Sequence, residues 1–445
     1  MTASPPATPT LRDDLRRMFD AAVDAARPEI CLPPHLPEPD AGGRILLLAG
    51  GKAGGAMMQV AEAAYLDGIG LPAERLAGLC ITRHGYARPL RHLEVVEAGH
   101  PVPDAAGVAA TQRLLELAAS ARPQDRIVVL LSGGASANWV APVDGVTLAD
   151  KQAVTRALLK SGATIDEINT LRRHLSRIKG GRLAAARGRA EDGRRVPMTT
   201  LAISDVPHDD PAAIASGPTV ADPTTLADAR AILARHVPQA PESVRRALDD
   251  PANETPKPGD PAFETCTYRL VARPQASLEA AAEIARERGY EPILLGDSLE
   301  GEAREVAADH AAQAVALARA GRRAVLLSGG ELTVTLTGDG RGGPNQEYAL
   351  ALALALDGER GIAGLAGDTD GTDGGTGAAD DPAGALVDAT TLSRGRAQGH
   401  DAAVFLARND STGFFEGVGD LLRTGPTYTN VNDFRAVIID KPEDV

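Results

Sequence analysis

The chain has 445 residues, too many for one ordinary hydrophobic core, so two domains are expected. Hydrophobic residues make up 43% and aromatics only 3%, which leaves a globular core to Ala, Val, Leu and Ile. A formal charge of −14 excludes nucleic acid or an anionic membrane as a general partner, and an anionic ligand would need locally placed Lys and Arg.

Residues 1–10 are rich in Ser, Thr, Pro and Ala and read as a frayed terminus. Asp13 and Asp14, with no apolar segment before them, argue against a signal peptide, and no apolar run approaches a membrane span. The cysteines Cys31, Cys80 and Cys266 are far apart and form no C-x-x-C pair, so neither zinc nor a disulfide framework is expected. A reducing, cytoplasmic setting follows as the expectation.

The first strand-like run, 44–49, passes straight into Gly50-Gly51-Lys52-Ala53-Gly54-Gly55. Met57, Val60, Ala61 and Ala64 then recur at helical spacing. Strand, glycine loop and helix N-terminus together suit a phosphate, and Lys52 adds a mobile charge. The pattern is not a P-loop, because Leu46 and Ala53 stand where that motif needs Gly and Ser or Thr. An ordinary βα turn with a solvated lysine accounts for the same residues.

Strands are expected next at 76–82, 92–97 and 127–131. The last runs into Ser132-Gly133-Gly134-Ala135-Ser136, a second loop of small residues with two hydroxyls. Asn169 precedes a basic stretch that includes Arg172, Arg173, His174, Lys179 and Arg182, which is a substrate-side cation cluster or a solvated helix face. A strand at 199–204 closes on Ser204-Asp205, where a carboxylate suits a metal, a substrate hydroxyl or a turn cap. Residues 250–261 carry four prolines and almost no apolar side chain, and read as a linker.

Further strands are expected at 268–272, 292–295, 323–328 and 362–366. Ser328-Gly329-Gly330-Glu331 makes a third strand-to-glycine junction. Residues 332–337 alternate with period two, predicting a half-exposed antiparallel edge strand. Arg341 then sits in a glycine loop ahead of a helix, placed to fork onto phosphate or carboxylate. Asp368 to Gly374 is not an EF-hand loop, since Ala379 occupies the twelfth position; a hard cation or an Asx turn fits it. Strands alternating with Ala-rich helical stretches predict open α/β domains with parallel sheets, and ligands beyond the strands' carboxyl ends in a cleft between the domains.

Together these stretches resemble the glycerate kinases that carry a C-terminal MOFRL domain, some of which are called hydroxypyruvate reductases. The resemblance is carried by Gly51-Lys52-Ala53, His100-Pro101-Val102-Pro103-Asp104, Ser132 to Ser136, Ile168-Asn169 to Arg182, Ser204-Asp205-Val206 and Ile214 to Thr219. It continues through Gly340 to Glu347, Gly371 to Gly374, and Thr424 to Asp433. It implies a larger Rossmann-like N-terminal domain (1–250), a linker (251–262) and a smaller α/β domain with the MOFRL region (263–445), with the active site in the cleft between. It also implies transfer of a phosphoryl group from ATP to D-glycerate with Mg²⁺, giving 2-phosphoglycerate.

Lys52 and Arg341 are then the catalytic charges. Gly51, Gly54, Gly55, Ser132, Gly133, Gly134 and Ser136 hold phosphate. Asn169, Arg172 and Lys179 hold the acceptor, and Asp205 and Asp373 anchor the metal. The partners are small molecules, with no nucleic acid or membrane and a homodimer left open. The chain departs from the family at Ala135, His208, Pro344 and Tyr428, and in a longer stretch from Gly375 to Gly384. Two other readings remain, an NAD(P)H-dependent hydroxypyruvate reductase and a non-enzymatic sugar-acid sensor. The first lacks a G-x-G-x-x-G turn and the second a DNA-binding element.

Overall fold

The computed structural model describes residues 10–190, 192–375 and 380–440, so most of 1–10 and the middle of 375–384 lie outside the described residues. The chain divides into two compact units, Pro28–Val271 and a second made of the segment up to Arg27 with Ala272–Val445. This division differs from the sequence reading at both ends. The first helix, Leu11–Ala25, packs with the C-terminal half of the chain, and 251–262 lies inside the Pro28–Val271 unit. Among the described residues no helix is long and apolar enough to cross a membrane.

The Pro28–Val271 unit is built on six strands, β1 (Ile45–Gly50), β2 (Leu76–Arg83), β3 (Glu94–Ala98), β4 (Arg126–Leu131), β5 (Met198–Ile203) and β6 (Cys266–Ala272). Their order is β3-β2-β1-β4-β5-β6, and the pairings from β3 to β5 are parallel. This is the doubly wound order, in which the chain reverses direction between β1 and β4 and leaves a crevice at their carboxyl ends. β1 is buried along its whole length, as its unbroken apolar run requires of a strand covered on both faces. Leu46, Leu48, Ile81, Val129, Leu131 and Trp139 belong to the core on one side of this sheet. A second core, including Val154, Leu158, Ile168, Leu171, Leu233 and Leu248, joins the helices that follow β4 and β5.

The proline-rich stretch is held by polar groups, which is why an apolar pattern does not reveal it. Asp250 and Asp260 cap 3-10 turns at Pro251–Asn253 and Pro261–Phe263. Thr255 Oγ1 donates to Asp222 Oδ2 at 3.0 Å, and Asp222 N donates to Pro256 O at 3.0 Å. Glu254 accepts from Leu226 N (3.0 Å) and Lys257 Nζ (2.5 Å) and pairs with the fully buried His174 at 3.1 Å.

The other unit carries β7 (Glu291–Leu299), β8 (Ala324–Gly330), β9 (Ile362–Asp368), β10 (Gly384–Val387), β11 (Leu421–Leu422) and β12 (Asp433–Ile439). The order is β11-β10-β9-β12-β8-β7, and only β7–β8 is parallel. The expected parallel sheet is therefore largely antiparallel here, because the last strand inserts between β8 and β9. The expected strand at 332–337 is also absent: a single parallel bridge joins Thr333 to Glu302, and Leu336 is 78% exposed. Leu15, Met18, Phe19 and Ala22, at helical spacing on the first helix, share a core with Leu278, Ala281, Ala282 and Phe434. Arg12 fastens the same helix by bridging Asp388 (2.5 Å) and Asp420 (2.6 Å).

Phe19 lies edge-on to Phe434 with ring centroids 5.8 Å apart. Phe19→Ala is expected to lower unfolding free energy by about 3–5 kcal/mol in denaturant titration. Burial alone would raise the Glu254 carboxyl, but the Leu226 amide, Lys257 and His174 hold it down to about 2. Its stabilisation is therefore present above its unfolded value of 4.5 and is lost as pH falls towards 2. Glu254→Gln should flatten the stability profile across that acid range, read by thermal melts at stepped pH.

Candidate functional site at the β1 and β4 carboxyl ends

The two loops at the sheet's reversal point are knitted into one body. Lys52 N donates to Gly133 O at 2.8 Å, and Ser132 N donates to Gly50 O at 3.1 Å. Ala53 N donates to Ser132 Oγ at 2.9 Å. Gly51 sits at φ +98°, and a Cβ there would lie 2.4 Å from Ser132 O and 2.5 Å from its Oγ. Glycine at 51 thus serves the contact between the loops. Gly54 and Gly55 open the helix Gly54–Ala63 and are buried.

The amides of Gly51, Lys52, Ala53 and Gly54 all have protein acceptors: Ile81 O, Gly133 O, Ser132 Oγ and Gly51 O. Among the described residues, the amides of Gly55 and Ala56 in the first turn of the next helix, and those of Gly133 and Gly134 in the β4 loop, have no protein acceptor. Both loops therefore offer open amides, and the β1 loop adds the Lys52 side chain. Gly134 is left-handed at φ +84°, and a Cβ on it would meet His100 Nε2 at 3.1 Å and Lys52 Cγ at 3.4 Å. His100 and the stem of Lys52 thus flank Gly134.

A second group lies on the far side of the short helix Ala135–Asn138. Ser136 Oγ and Ser216 Oγ are 2.7 Å apart, and Ser216 Oγ donates to Asn169 Oδ1 at 3.2 Å. Arg172 Nη1 reaches the same Asn169 oxygen at 3.4 Å. Lys179 Nζ donates to Ser136 O (2.8 Å) and Trp139 O (2.9 Å), which places a buried cation at the helix's C-terminal carbonyls. The structure thus brings Ser136, expected with the phosphate loop, together with Asn169, Arg172 and Lys179. Ser216 is the member that sequence reasoning misses as a site residue. Its signal is in the backbone: Ala215, Ser216 and Gly217 have consecutive φ values of +54°, +59° and +61°. Two non-glycine residues held there cost about 1–3 kcal/mol each, a load that marks a site whose surroundings fix it. Gly180 N and Gly181 N clamp it by donating to Ser216 O (3.0 Å) and Gly217 O (2.7 Å).

Asp205 lies two residues beyond β5 and is half-buried. Burial, followed by the nearby Asp210, Asp205 and Asp209 carboxylates, raises the Tyr268 phenol. Among the described residues, no cluster of three or more His, Cys, Asp or Glu forms a metal cage.

The remaining site candidates belong to the other unit and are described within it. Arg341 is well exposed, with Nη2 3.0 Å from Glu416 Oε2. Its backbone is fixed: Arg341 N donates to Asp410 Oδ1 at 3.1 Å and its carbonyl accepts from Thr412 N at 2.9 Å. Asp373 is buried, and its two carboxylate oxygens take four N–H donors. Asn345 N and Nδ2 reach Oδ1 at 3.0 and 3.2 Å, and Gln346 N and Nε2 reach Oδ2 at 2.8 and 3.1 Å. In place of an open metal ligand, the structure shows Asp373 as the anion anchoring the first turn of the helix Pro344–Leu356.

Known proteins were compared with this geometry. Residues 14–249 match the family described as a domain of unknown function, DUF4147, and residues 324–433 match the MOFRL family. A protein of Agrobacterium vitis, provisionally named a hydroxypyruvate reductase, is 49% identical over 96% of this chain and 94% of its own length. The D-glycerate 2-kinase of Thermotoga maritima is 38% identical over 93% of this chain and 94% of its own. The crystal structure of a glycerate kinase from Thermotoga maritima matches with a TM-score of 0.84 at 36% identity, covering 96% of this chain and 99% of that one.

Burial and the neighbouring Asp433 push the Asp373 carboxyl up to about 7, against the pull of its N–H donors. A raised folded value means stability is fully present below the unfolded 3.8 and is lost as pH rises through about 7. Asp373→Asn should remove that slope between pH 4 and 7, seen by subtracting the variant's denaturation profile from the wild type's.

Proposed function

The chain belongs to the glycerate kinase family, and from that premise we propose that it transfers the γ-phosphoryl group of ATP to D-glycerate, giving 2-phosphoglycerate and ADP. The observation that carries this reading is the β4 loop with two unpartnered amides beside Lys52, at the reversal point of a doubly wound sheet. The printed name of the Thermotoga maritima relative supports both the acceptor and the position of transfer.

Phosphoryl transfer asks for in-line positioning and positive charge on the migrating group, with little covalent help. In this reading Gly133 and Gly134 donate to phosphate oxygens, with Ser132 and Ser136 completing the loop. Gly51, Gly54 and Gly55 shape the β1 turn that carries Lys52. Lys52 and Arg341 supply the charge that grows in importance at the transition state, Arg341 exchanging its exposed partner Glu416 for phosphate. Asn169, Arg172 and Lys179 form the acceptor side. Mg²⁺ bound with ATP would neutralise phosphate charge, and Asp205 would be its protein anchor. Asp373 acts through the helix it caps.

The reductase reading rests on a relative's name. The β1 turn speaks for transfer instead, because its amides from Gly51 to Gly54 are satisfied internally and it lacks the glycine spacing of a dinucleotide turn. Purified protein incubated with ATP, Mg²⁺ and D-glycerate should show a 2-phosphoglycerate resonance by phosphorus NMR. NADH consumption with hydroxypyruvate, and no phosphoester, would replace this reading with the reductase one. Lys52→Met should lower kcat by about 10²–10³-fold, the scale of removing one transition-state charge contact. A folded variant with near-native turnover would remove Lys52 from the mechanism.

A further inference from the structure

The helices Leu226–His236 and Glu242–Asp249 follow one another and line a pocket of about 320 Å³ that the proposed reaction does not use. Its floor is apolar. Leu233, Val237 and Leu248 line it, and all three are buried in the core that joins the helices following β4 and β5. Its ionic groups are Arg230, Arg245 and Asp249. Apolar walls, a few polar groups and a volume at the lower end of the usual range are the composition of a small-molecule site.

Each arginine is held from the neighbouring helix by one backbone carbonyl. Arg230 Nη1, on the first helix, donates to Leu248 O at 2.7 Å in the last turn of the second. Arg245 Nη2, on the second, donates to Pro238 O just beyond the first. A carbonyl is neutral, so these bonds fix the two guanidinium groups and leave their charge and most of each donor fork unengaged. Asp249 does little to neutralise them. Its Oδ1 stands 4.0 Å from Arg230 Nε, and the two side chains are 69% and 45% exposed, where an ion pair is weak. Among the described residues no carboxylate pairs with Arg245. On a chain of net charge −14, an excess of positive charge over an apolar floor selects an anion with a hydrocarbon body. A polyol or a sugar acid would set its hydroxyls against Leu233, Val237 and Leu248, where they find no partner.

We propose that this pocket binds a small apolar monocarboxylate of the medium-chain fatty-acid kind, with its carboxylate on Arg230 and Arg245 and its tail on Leu233, Val237 and Leu248. The site does not depend on the phosphotransfer reading. Its floor shares a core with Ile168 and Leu171, so a bound tail adds to the packing that seats the helix Ile165–His174, which carries Asn169.

Isothermal titration calorimetry of the full chain with octanoate, kept below its micelle concentration, tests this. Saturable binding of one octanoate per chain is expected, with octan-1-ol at least 10-fold weaker and octylamine not bound. Arg245→Gln should weaken octanoate roughly 10- to 100-fold, the worth of a charge-assisted hydrogen bond. Arg245→Lys, which keeps charge without the fork, serves if the Gln variant does not fold, and should be intermediate. Ala234→Phe, which fills the pocket from an exposed position on its wall, should abolish binding. D-Glycerate should not displace octanoate. Octanoate that D-glycerate displaces, or that folded Arg245 and Ala234 variants bind with wild-type affinity, sits elsewhere and overturns the site. Octan-1-ol or octylamine binding as tightly as octanoate overturns the carboxylate recognition, and a wild type that shows no saturable binding overturns the proposal outright.

Discussion

The site depends on the contact between the β1 and β4 loops. Gly51 lets the Ser132 backbone and hydroxyl approach to where a Cβ could not stand, and that approach allows Lys52 N to reach Gly133 O and Ala53 N to reach Ser132 Oγ. Those bonds fix which donors remain. Four amides of the β1 turn have protein acceptors, and those of Gly55, Ala56, Gly133 and Gly134 have none among the described residues. Orphan amides at a strand-to-helix junction are the ordinary basis of anion binding. Here they fall after both β1 and β4, and the lysine comes from the β1 loop.

The same loop leads directly to the acceptor-side group. The helix Ala135–Asn138 begins at Gly134, carries Ser136, and is gripped at its far end by Lys179 through the Ser136 and Trp139 carbonyls. Ser136 meets Ser216, and Ser216 meets Asn169. A displacement of the β4 loop must therefore move a chain of hydrogen bonds ending at Arg172. The left-handed run from Ala215 to Gly217 is the strained link in that chain, and the Gly180 and Gly181 amides keep it in register.

Much of the Pro28–Val271 sheet was legible because parallel strands covered on both faces read as unbroken apolar runs, as 127–131 does. The two anion-loop candidates followed from strands ending on glycines. The other sheet was less legible for a topological reason. Its central strand, β12, comes from the end of the chain and pairs with β8 and β9, a choice that no local window records. β10 and β11 are too short to carry a period. Residues 332–337 have the alternation of a strand without a partner to pair along it. Leu15, Met18 and Phe19 give the first helix its apolar face, but nothing local says that this face belongs with Leu278 and Phe434. In the site, residue types were readable and roles were not. Asp373 looks like a metal ligand until its four N–H donors are counted.

The strand order alone does not choose between phosphoryl transfer and hydride transfer, since doubly wound sheets host both. The choice turns on donors. A dinucleotide turn keeps its first βα amides open to a pyrophosphate and uses an acidic residue further on for the ribose. This chain ties the Lys52 and Ala53 amides to Gly133 and Ser132 of the β4 loop and puts a lysine in the turn. A fixed positive charge beside two open amides suits a group whose negative charge is shared over several oxygens while it moves. On the proposed reading, the sheet supplies the crevice and the interlocked loops supply the direction of approach.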